Sequence, residues 1–221
     1  MLILYFNIWG FEGASKLLAL KNLLFYVNPD VVFIQETMVD HTHTKDLFLK
    51  IYPSWNYAAT DAVGLSGGLL SGWNPRVGYF EAFNSVLGNF LEGRFLNLLD
   101  PMNLLNCYGP YKDMLPFRNL AKESGCLEEE ALIFGGDLNF TLFAREIWGD
   151  GARLEPCGDY LFDLFDTTGL VDVMPNQVSL TWRNGRSGCV GVSKRLDKFL
   201  INDHFLGDSF KSRSWVINSM I

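Results

Sequence analysis

The sequence predicts an α/β fold in which two packed sheets carry helices on their outer faces. Residues 1–35 have the pattern of a strand, a helix and a second strand, and the second strand is apolar throughout, as expected when both sheet faces are covered. Residues 52–115 instead alternate short strands with Gly, Asn and Pro turns, which is typical of an antiparallel meander. Mixed strands flanked by helices are the pattern of two sheets packed together with helices outside.

Each element of the opening has a local signal. Ile3–Asn7 is a short apolar strand that ends in an amide. Ser15 can cap the helix that follows, whose leucines recur at helical spacing until Asn28-Pro29 stops it. Val31–Ile34 is then a second strand, so a β-α-β unit is predicted at the start of the chain.

The rest of the chain continues the alternation of strands and helices. Helices are predicted near residues 115–124 and 159–168, the second ending at Gly169. The predicted strands are Ser66–Trp73, Phe95–Leu99, Leu104–Tyr108, Ala131–Asp137, Ser179–Arg183 and Arg195–Ile201.

Composition limits the class of protein. With 221 residues, 48% hydrophobic and 19% charged, we expect one globular domain over 1–221 and a monomer. No stretch approaches the roughly 18 apolar residues of a membrane span, and the start lacks the basic segment of a secretion signal. We therefore expect an intracellular protein, nuclear or cytoplasmic. The four cysteines lie far apart, which favours free thiols over a zinc site or disulfides.

Charge is distributed unevenly along the chain. The net charge is −7, yet residues 175–221 hold 7 Lys and Arg against 3 Asp and Glu, while residues 1–174 hold 11 against 22. Two interpretations stay open: the basic end faces phosphates, or it is an ordinary solvated surface. The side chains concerned include Arg183, Arg186, Lys194, Arg195 and Lys198.

Polar side chains follow four of the apolar strands. Asp137 and Asn139 close the strand after Gly135-Gly136, and side chains two apart on an extended backbone point the same way. Asn7, Glu36 and Asp197 lie in comparable positions on three other strands. Four such strand ends in one chain predict a site that could hold a metal-activated water or a phosphate oxygen.

Seven segments, in this order along the chain, carry a family resemblance. The segments are N-I-W-G (7–10), Q-E-T (35–37), S-G-G-L-L-S-G-W (66–73), N-C-Y-G-P-Y (106–111), G-G-D-L-N-F (135–140), L-T-W-R-N-G (180–185) and R-L-D-K-F-L-I (195–201). As a set they resemble the endonuclease/exonuclease/phosphatase superfamily, and more narrowly the endonuclease domain of plant LINE-type retroelements, which are relatives of apurinic/apyrimidinic endonucleases.

The resemblance implies a four-layer α/β sandwich and metal-dependent phosphodiester hydrolysis, with DNA as the substrate. It makes Glu36 the ligand of Mg²⁺, with Mn²⁺ as the alternative, and Asn7 its neighbour in the metal and phosphate site. One carboxylate with amides, water and substrate oxygens suits a hard cation such as Mg²⁺.

The resemblance also assigns the catalytic roles. Asp137 is similar to the residue that orients or deprotonates the attacking water, and Asn139 to the one that binds the scissile phosphate. Tyr108 matches a phosphate-contacting tyrosine, and Asp197 matches the carboxylate that orients a histidine.

The chain departs from the family pattern at its C-terminal end, at Trp9, and at Tyr111, where apurinic-site enzymes carry an amide. The family continues to a strand with an S-D-H motif whose histidine acts at the phosphate, whereas this sequence stops at Ile221, so we expect a C-terminally truncated domain. His204 is a poor substitute, because it follows Asp197 by seven positions. His41 and His43 are expected in a polar loop after Glu36. Trp9 is the second departure, since apurinic-site enzymes carry an acidic residue there.

Three functions therefore stay open. The first is a Mg²⁺-dependent DNA-nicking endonuclease, with activity that truncation weakens or abolishes. The second is a phosphatase or phosphodiesterase on small phosphates, which suits the acidic net charge. The third is an inactive domain that binds nucleic acid.

Overall fold

The computed structural model describes residues 1–63, 66–85, 87–110, 119, 121–149, 158–186, 188–207 and 210–217. Within these ranges the chain divides into two compact units. The first unit is Met1–Tyr108 together with Ile217, and the second is Gly109–Val216.

In the part that the structure describes, the first unit contains two α-helices and seven strands. Its helices are α1 (Ala14–Val27) and α2 (His41–Ile51), and its strands are β1 (Ile3–Asn7), β2 (Val31–Gln35), β3 (Asn56–Val63), β4 (Ser66–Trp73), β5 (Gly78–Ser85), β6 (Gly88–Phe95) and β7 (Met102–Cys107). One sheet has the order β1-β2-β4-β3, with β1 and β2 parallel and the other pairs antiparallel. Strands β5, β6 and β7 form an antiparallel meander.

A polar network joins the two groups of strands inside the first unit. The Asn106 amide on β7 donates to the Leu70 carbonyl and to the Ser71 hydroxyl of β4, both at 3.1 Å. Its oxygen accepts from the Gln35 amide of β2 at 2.7 Å, and the same amide donates to the Cys107 carbonyl at 2.6 Å. All five residues are buried. Because these partners are directional, they fix how β2, β4 and β7 face one another.

Among its described residues, the second unit contains helical residues at 119 and 121–124, and after them one further α-helix and six strands. They are β8 (Leu132–Asp137), β9 (Ile147–Trp148), α3 (Gly158–Thr167), β10 (Val171–Asp172), β11 (Trp182–Arg183), β12 (Ser193–Lys194) and β13 (Asp197–Ile201). Strand β13 pairs antiparallel with β8 on one side and with β10 on the other. Strands β11, β12 and β9 form a separate antiparallel sheet.

The opening β-α-β unit, the strand 66–73 and helix α3 agree with the sequence predictions, but the cap of α1 does not. The N-cap residue is Gly13, which has no side chain to accept a hydrogen bond, and Ser15 lies inside the first turn. The predicted strand Phe95–Leu99 is also wrong. Strand β6 ends at Phe95, and the chain then turns, with the Leu98 N–H donating to the Phe95 carbonyl at 3.0 Å.

The polar loop predicted around His41 and His43 is instead the first turn of α2. The Asp40 carboxylate caps this helix by accepting from the His43 N–H at 2.8 Å. The helix then buries Thr44, Phe48 and Ile51 at helical spacing.

Two further predictions are met only in part. The predicted strand 179–183 shrinks to the two residues of β11. Most of the predicted helix 115–124 lies outside the described residues, and the described residues 119 and 121–124 are helical.

Candidate active site

The six residues predicted for the site lie at strand ends, three in each unit. The first unit holds Asn7, Glu36 and Tyr108, and the second holds Asp137, Asn139 and Asp197.

In the first unit the structure brings Glu36 and Tyr108 together. The Tyr108 hydroxyl donates to Glu36 Oε1 at 2.7 Å across 72 positions of sequence, and both side chains are only half-buried. Each residue directly follows a strand that the buried amide network holds, since Gln35 precedes Glu36 and Cys107 precedes Tyr108. Rigid strands therefore position a carboxylate and a phenol at a partly exposed edge.

Asn7 lies beside this pair at the end of β1. Its register partner on the parallel strand β2 is Gln35, the residue before Glu36. Its side-chain oxygen accepts from the Trp9 N–H at 3.1 Å, which starts the turn out of the strand. Asn7 and Glu36 thus close two neighbouring parallel strands at the same edge of one sheet.

In the second unit Asp137 and Asn139 are held together by a turn and not by an extended strand. Strand β8 ends at Asp137, whose Oδ1 accepts from the Asn139 N–H at 2.9 Å. The Asn139 amide then donates to the Gly109 carbonyl at 2.7 Å, and the Gly109 N–H donates to the Asp137 carbonyl at 2.8 Å. A Cβ at Gly109 would lie 2.0 Å from the Leu138 carbonyl oxygen, so only glycine allows this close approach.

Asp197 lies directly opposite Asp137. The two are register partners in the antiparallel pair of β13 and β8, so their carboxylates share one face of the sheet. The Thr181 hydroxyl accepts from the Leu196 and Asp197 N–H groups at 2.9 and 3.2 Å and fixes the start of β13.

Backbone strain concentrates in the same loops. Among the described non-glycine residues, six have φ between 45° and 56°. Four of them, Trp9, Glu36, Met38 and Asn139, lie in these loops, whereas Asn28 and Ala131 lie elsewhere. Side chains with a Cβ rarely adopt this region unless the surroundings enforce it, and such residues cluster at functional sites. Glu36 and Asn139, both predicted site residues, are among them.

A buried ionic cluster supports β13 in the second unit, and sequence reasoning missed its central residue, Glu146. Arg195 donates to Glu146 Oε1 at 2.6 Å and makes a two-point pair with Asp172 at 2.6 and 2.8 Å. Lys198 donates to the same Glu146 oxygen at 2.5 Å. No motif marks Glu146, which ends a single 3-10 turn. Its neighbours in sequence are Arg145 and Ile147, so no apolar pattern marks it either.

The cluster shifts the pKa of each of these three groups. Burial raises the pKa of Glu146, but the Lys198 ammonium and the hydrogen bonds outweigh burial and hold it below its usual value. Burial lowers the pKa of Lys198, and the Glu146 carboxylate offsets this only in part. Burial also lowers the pKa of Arg195, but its pairing with Asp172 outweighs that and raises it. Glu146 and Arg195 are therefore charged near neutral pH.

The same cluster corrects the interpretation of the basic C-terminal residues as a surface. Arg195 and Lys198 are only 3% and 2% exposed, and both are paired with carboxylates. Neither can face a phosphate.

His204 is not placed to serve Asp197. It lies in the 3-10 turn Asp203–Phe205 beyond the far end of β13, whereas Asp197 begins that strand. The His204 ring packs against Phe205 and Phe210.

The donors of the first unit fit a hard divalent cation. Among the described residues, no three His, Cys, Asp or Glu side chains group closely enough to hold a metal alone. Mg²⁺, however, is commonly held by one or two carboxylates and completed by water and substrate oxygens. The half-buried Glu36 carboxylate with the Asn7 amide oxygen at the adjacent strand end is such a set.

The match to a family model decides the classification. The model of the Endonuclease/Exonuclease/phosphatase family matches residues 4–209. The chain belongs to this family. Among curated proteins, it is 28% identical over 214 residues to the transposon TX1 uncharacterized 149 kDa protein of Xenopus laevis. That match covers 90% of this chain and 16% of the transposon protein, so the chain spans a small part of that relative.

Solved structures of the family show the fold. An AP endonuclease from Leishmania major superposes with a TM-score of 0.71 at 15% identity, covering 91% of this chain and 78% of its own. The endonuclease domain of TRAS1, a telomere-specific non-LTR retrotransposon, gives 0.63 at 16% identity, covering 92% and 86%. The chain therefore has the α/β sandwich fold of these nucleases. No helix among the described residues is long and apolar enough to cross a membrane.

Proposed function

We propose that this chain is a Mg²⁺-dependent phosphodiesterase that nicks DNA, acting as one domain over 1–221. The observation that supports it best is the hydrogen bond from the Tyr108 hydroxyl to Glu36. It holds a carboxylate that can bind a metal ion next to a hydroxyl that can contact a phosphate, and both groups are partly exposed. The similarity to a retrotransposon endonuclease domain and to an AP endonuclease supports DNA as the substrate class.

Each unit carries groups of the kinds that phosphodiester hydrolysis needs. Glu36 and Asn7 would hold the cation, which supplies Lewis-acid charge neutralisation at a non-bridging phosphate oxygen when bound. Tyr108, in the first unit, and Asn139, in the second, each carry a group of the kind that donates to a phosphate oxygen. The single hydroxyl proton of Tyr108 would have to turn away from Glu36 Oε1 to do so. Asp137 would accept the proton of the attacking water, and Asp197 is its register partner on the neighbouring strand β13.

The reaction is a simple displacement. The water oxygen forms a bond to phosphorus, the bond from phosphorus to the leaving ester oxygen breaks, and a proton goes to that oxygen. Because Asp137 is nearly buried and its Oδ1 is bonded to the Asn139 N–H, its carboxylate has a fixed direction. A general base of this kind contributes about 10²–10⁴ in rate.

Nicking of supercoiled plasmid by the purified chain tests the proposal, with Mg²⁺ and with EDTA. We expect Mg²⁺-dependent nicking that Asp137→Asn lowers about 10²- to 10⁴-fold. Glu36→Gln should in addition require a higher Mg²⁺ concentration, because it removes the one carboxylate of the donor set. Asp163→Asn, which changes an exposed carboxylate on α3, is the matched control and should nick normally.

Two results would contradict the assignment. Nicking that persists in Asp137→Asn would mean that the site lies elsewhere, and a folded chain that never nicks would mean that it is no DNA-nicking enzyme.

One observation favours a second function, a phosphatase or phosphodiesterase on small phosphates. The chain carries a net charge of −7, and two of the basic side chains at its C-terminal end are buried in ion pairs. A long polyanion such as DNA binds mainly through many basic surface groups, so an acidic protein attracts it less well than it attracts a small phosphate with few charges. Turnover of nucleotides and phosphorylated head groups, measured beside plasmid nicking, separates the two functions.

A further inference from the structure

The loop after β1 displays one aromatic side chain in a fixed backbone. Trp9 has φ 45°, a left-handed conformation that bulky residues seldom adopt. Its N–H donates to the Asn7 side chain at 3.1 Å, and its carbonyl accepts from the Lys16 ammonium at 2.5 Å. Both backbone polar groups of Trp9 are therefore hydrogen-bonded, and the partner of the N–H, Asn7, is a proposed ligand of the metal.

The residues that follow attach the loop to the segment carrying Glu36. The Gly10 N–H donates to the Glu36 carbonyl and the Phe11 N–H to the Thr37 carbonyl, both at 2.7 Å. Phe11 is completely buried and anchors the loop in the core. Trp9 consequently has a fixed place relative to Asn7 and Glu36 within the first unit.

The Trp9 side chain itself is 73% exposed. Trp55 and Trp73, in the same unit, are 9% and 4% exposed. None of the ring contacts between described residues includes Trp9. A bulky aromatic held in a strained backbone and left in water is costly to the folded chain, and such costs persist where the exposed group binds something.

We propose that Trp9 is a stacking platform for an unpaired nucleobase next to the phosphodiester held at Asn7 and Glu36. The inference rests on the proposed phosphodiesterase function and narrows its substrate to a polynucleotide with an accessible base. An indole offers the largest aromatic face among side chains, and stacking is tolerant of base identity because every base has a flat face. Trp9 would thus select polynucleotide over small phosphates without imposing a sequence.

Binding to two labelled oligonucleotides of equal length and charge tests this. One is a short oligothymidylate, and the other has an abasic analogue at every position. Affinities are measured by fluorescence anisotropy with Mg²⁺ in an Asp137→Asn background, so the ligand stays intact. We expect this protein to prefer the oligothymidylate by about 5- to 150-fold, the range for one stacked base.

Two variants of Trp9 keep the test specific. Trp9→Asn removes the ring but tolerates the left-handed backbone, so the fold should be retained and the preference lost. Trp9→Phe keeps a smaller ring and should keep most of the preference. Trp215→Asn is the matched control, because Trp215 is also exposed, at 59%, and lies outside this loop. It should bind like the parent protein.

The inference fails if the parent protein binds both oligonucleotides equally, or if Trp9→Asn retains the preference. It also fails if Trp215→Asn lowers the preference for the oligothymidylate as much as Trp9→Asn does. Because binding is measured without turnover, these outcomes are separate from the nicking assay: a chain that stacks bases but never nicks would contradict the proposed function and leave the platform intact.

Discussion

Each unit buries a polar network immediately beside its proposed site residues, but the two networks differ in charge. In the first unit, the amides of Gln35 and Asn106 with the Ser71 hydroxyl hold the strands that lead to Glu36 and Tyr108. In the second unit, Glu146 and its cationic partners hold the strand that begins with Asp197.

The comparison shows that a strand end can be held in place either by neutral hydrogen bonds or by buried ion pairs. Burial of neutral amides costs little free energy when every group is hydrogen-bonded, and their hydrogen bonds do not change with pH. Buried charges are costly to remove from water, so each depends strongly on its partner, and the carboxylate responds to acid. We therefore expect acid, or the loss of one partner, to lower the stability of the second unit's network more than that of the first.

The largest expected effect comes from breaking the ionic network. Glu146→Gln removes the carboxylate that both Arg195 and Lys198 contact and leaves Lys198 poorly paired at 2% exposure. We expect a loss of about 3–5 kcal/mol in the free energy of unfolding, measured by urea denaturation. Glu128→Gln changes an exposed glutamate of the same unit and is the control. Equal stability of the two variants would show that the network contributes little.

A smaller effect should follow from breaking the neutral network. Asn106→Leu nearly conserves volume but removes three hydrogen bonds and leaves the Gln35 and Ser71 side chains short of partners. We expect a loss of about 1–3 kcal/mol, the typical cost of an unsatisfied buried polar group. Asn97→Leu, in the exposed turn after β6, should change stability little. A loss in Asn106→Leu as large as that in Glu146→Gln would contradict the contrast between the networks.

The smallest effect should appear as a dependence on acid. The folded-state pKa of Glu146 lies below its ordinary value of 4.5, so its contribution to stability is complete above that value and is lost as pH falls through the lower folded pKa. The stability difference between the parent protein and Glu146→Gln should therefore shrink below about pH 4.5. The difference for Asn106→Leu should stay constant over the same range, because amides and hydroxyls do not titrate there. Thermal unfolding across pH 3 to 7 measures both.

Sequence reasoning predicted five of the six site residues from their position after apolar strands and the sixth, Tyr108, from the family resemblance. The predictions for Glu36 and Tyr108 name two residues that the structure joins by a hydrogen bond, and those for Asp137 and Asp197 name two register partners. The expectation that Asp137 and Asn139 share an extended strand was wrong, because the Asp137 side chain accepts from the backbone two residues on and turns the chain.

Other features were beyond the reach of the pattern. Arg195 and Lys198 look like a basic surface in sequence, because the acidic partners that bury them, Glu146 and Asp172, lie 23 to 52 positions away. Helix α2 was missed because its first turn is polar and its signal is the Asp40 cap, not an apolar stripe.

The sequence by itself determined the opening β-α-β unit, strand β4 and the order of the motifs, because hydrophobic periodicity and polar strand ends are local properties. Only the tertiary structure decided which charges are buried, which carboxylates face each other and that Trp9 is displayed in a strained loop. Those outcomes depend on register and on partners distant in sequence, and a one-dimensional pattern does not contain them.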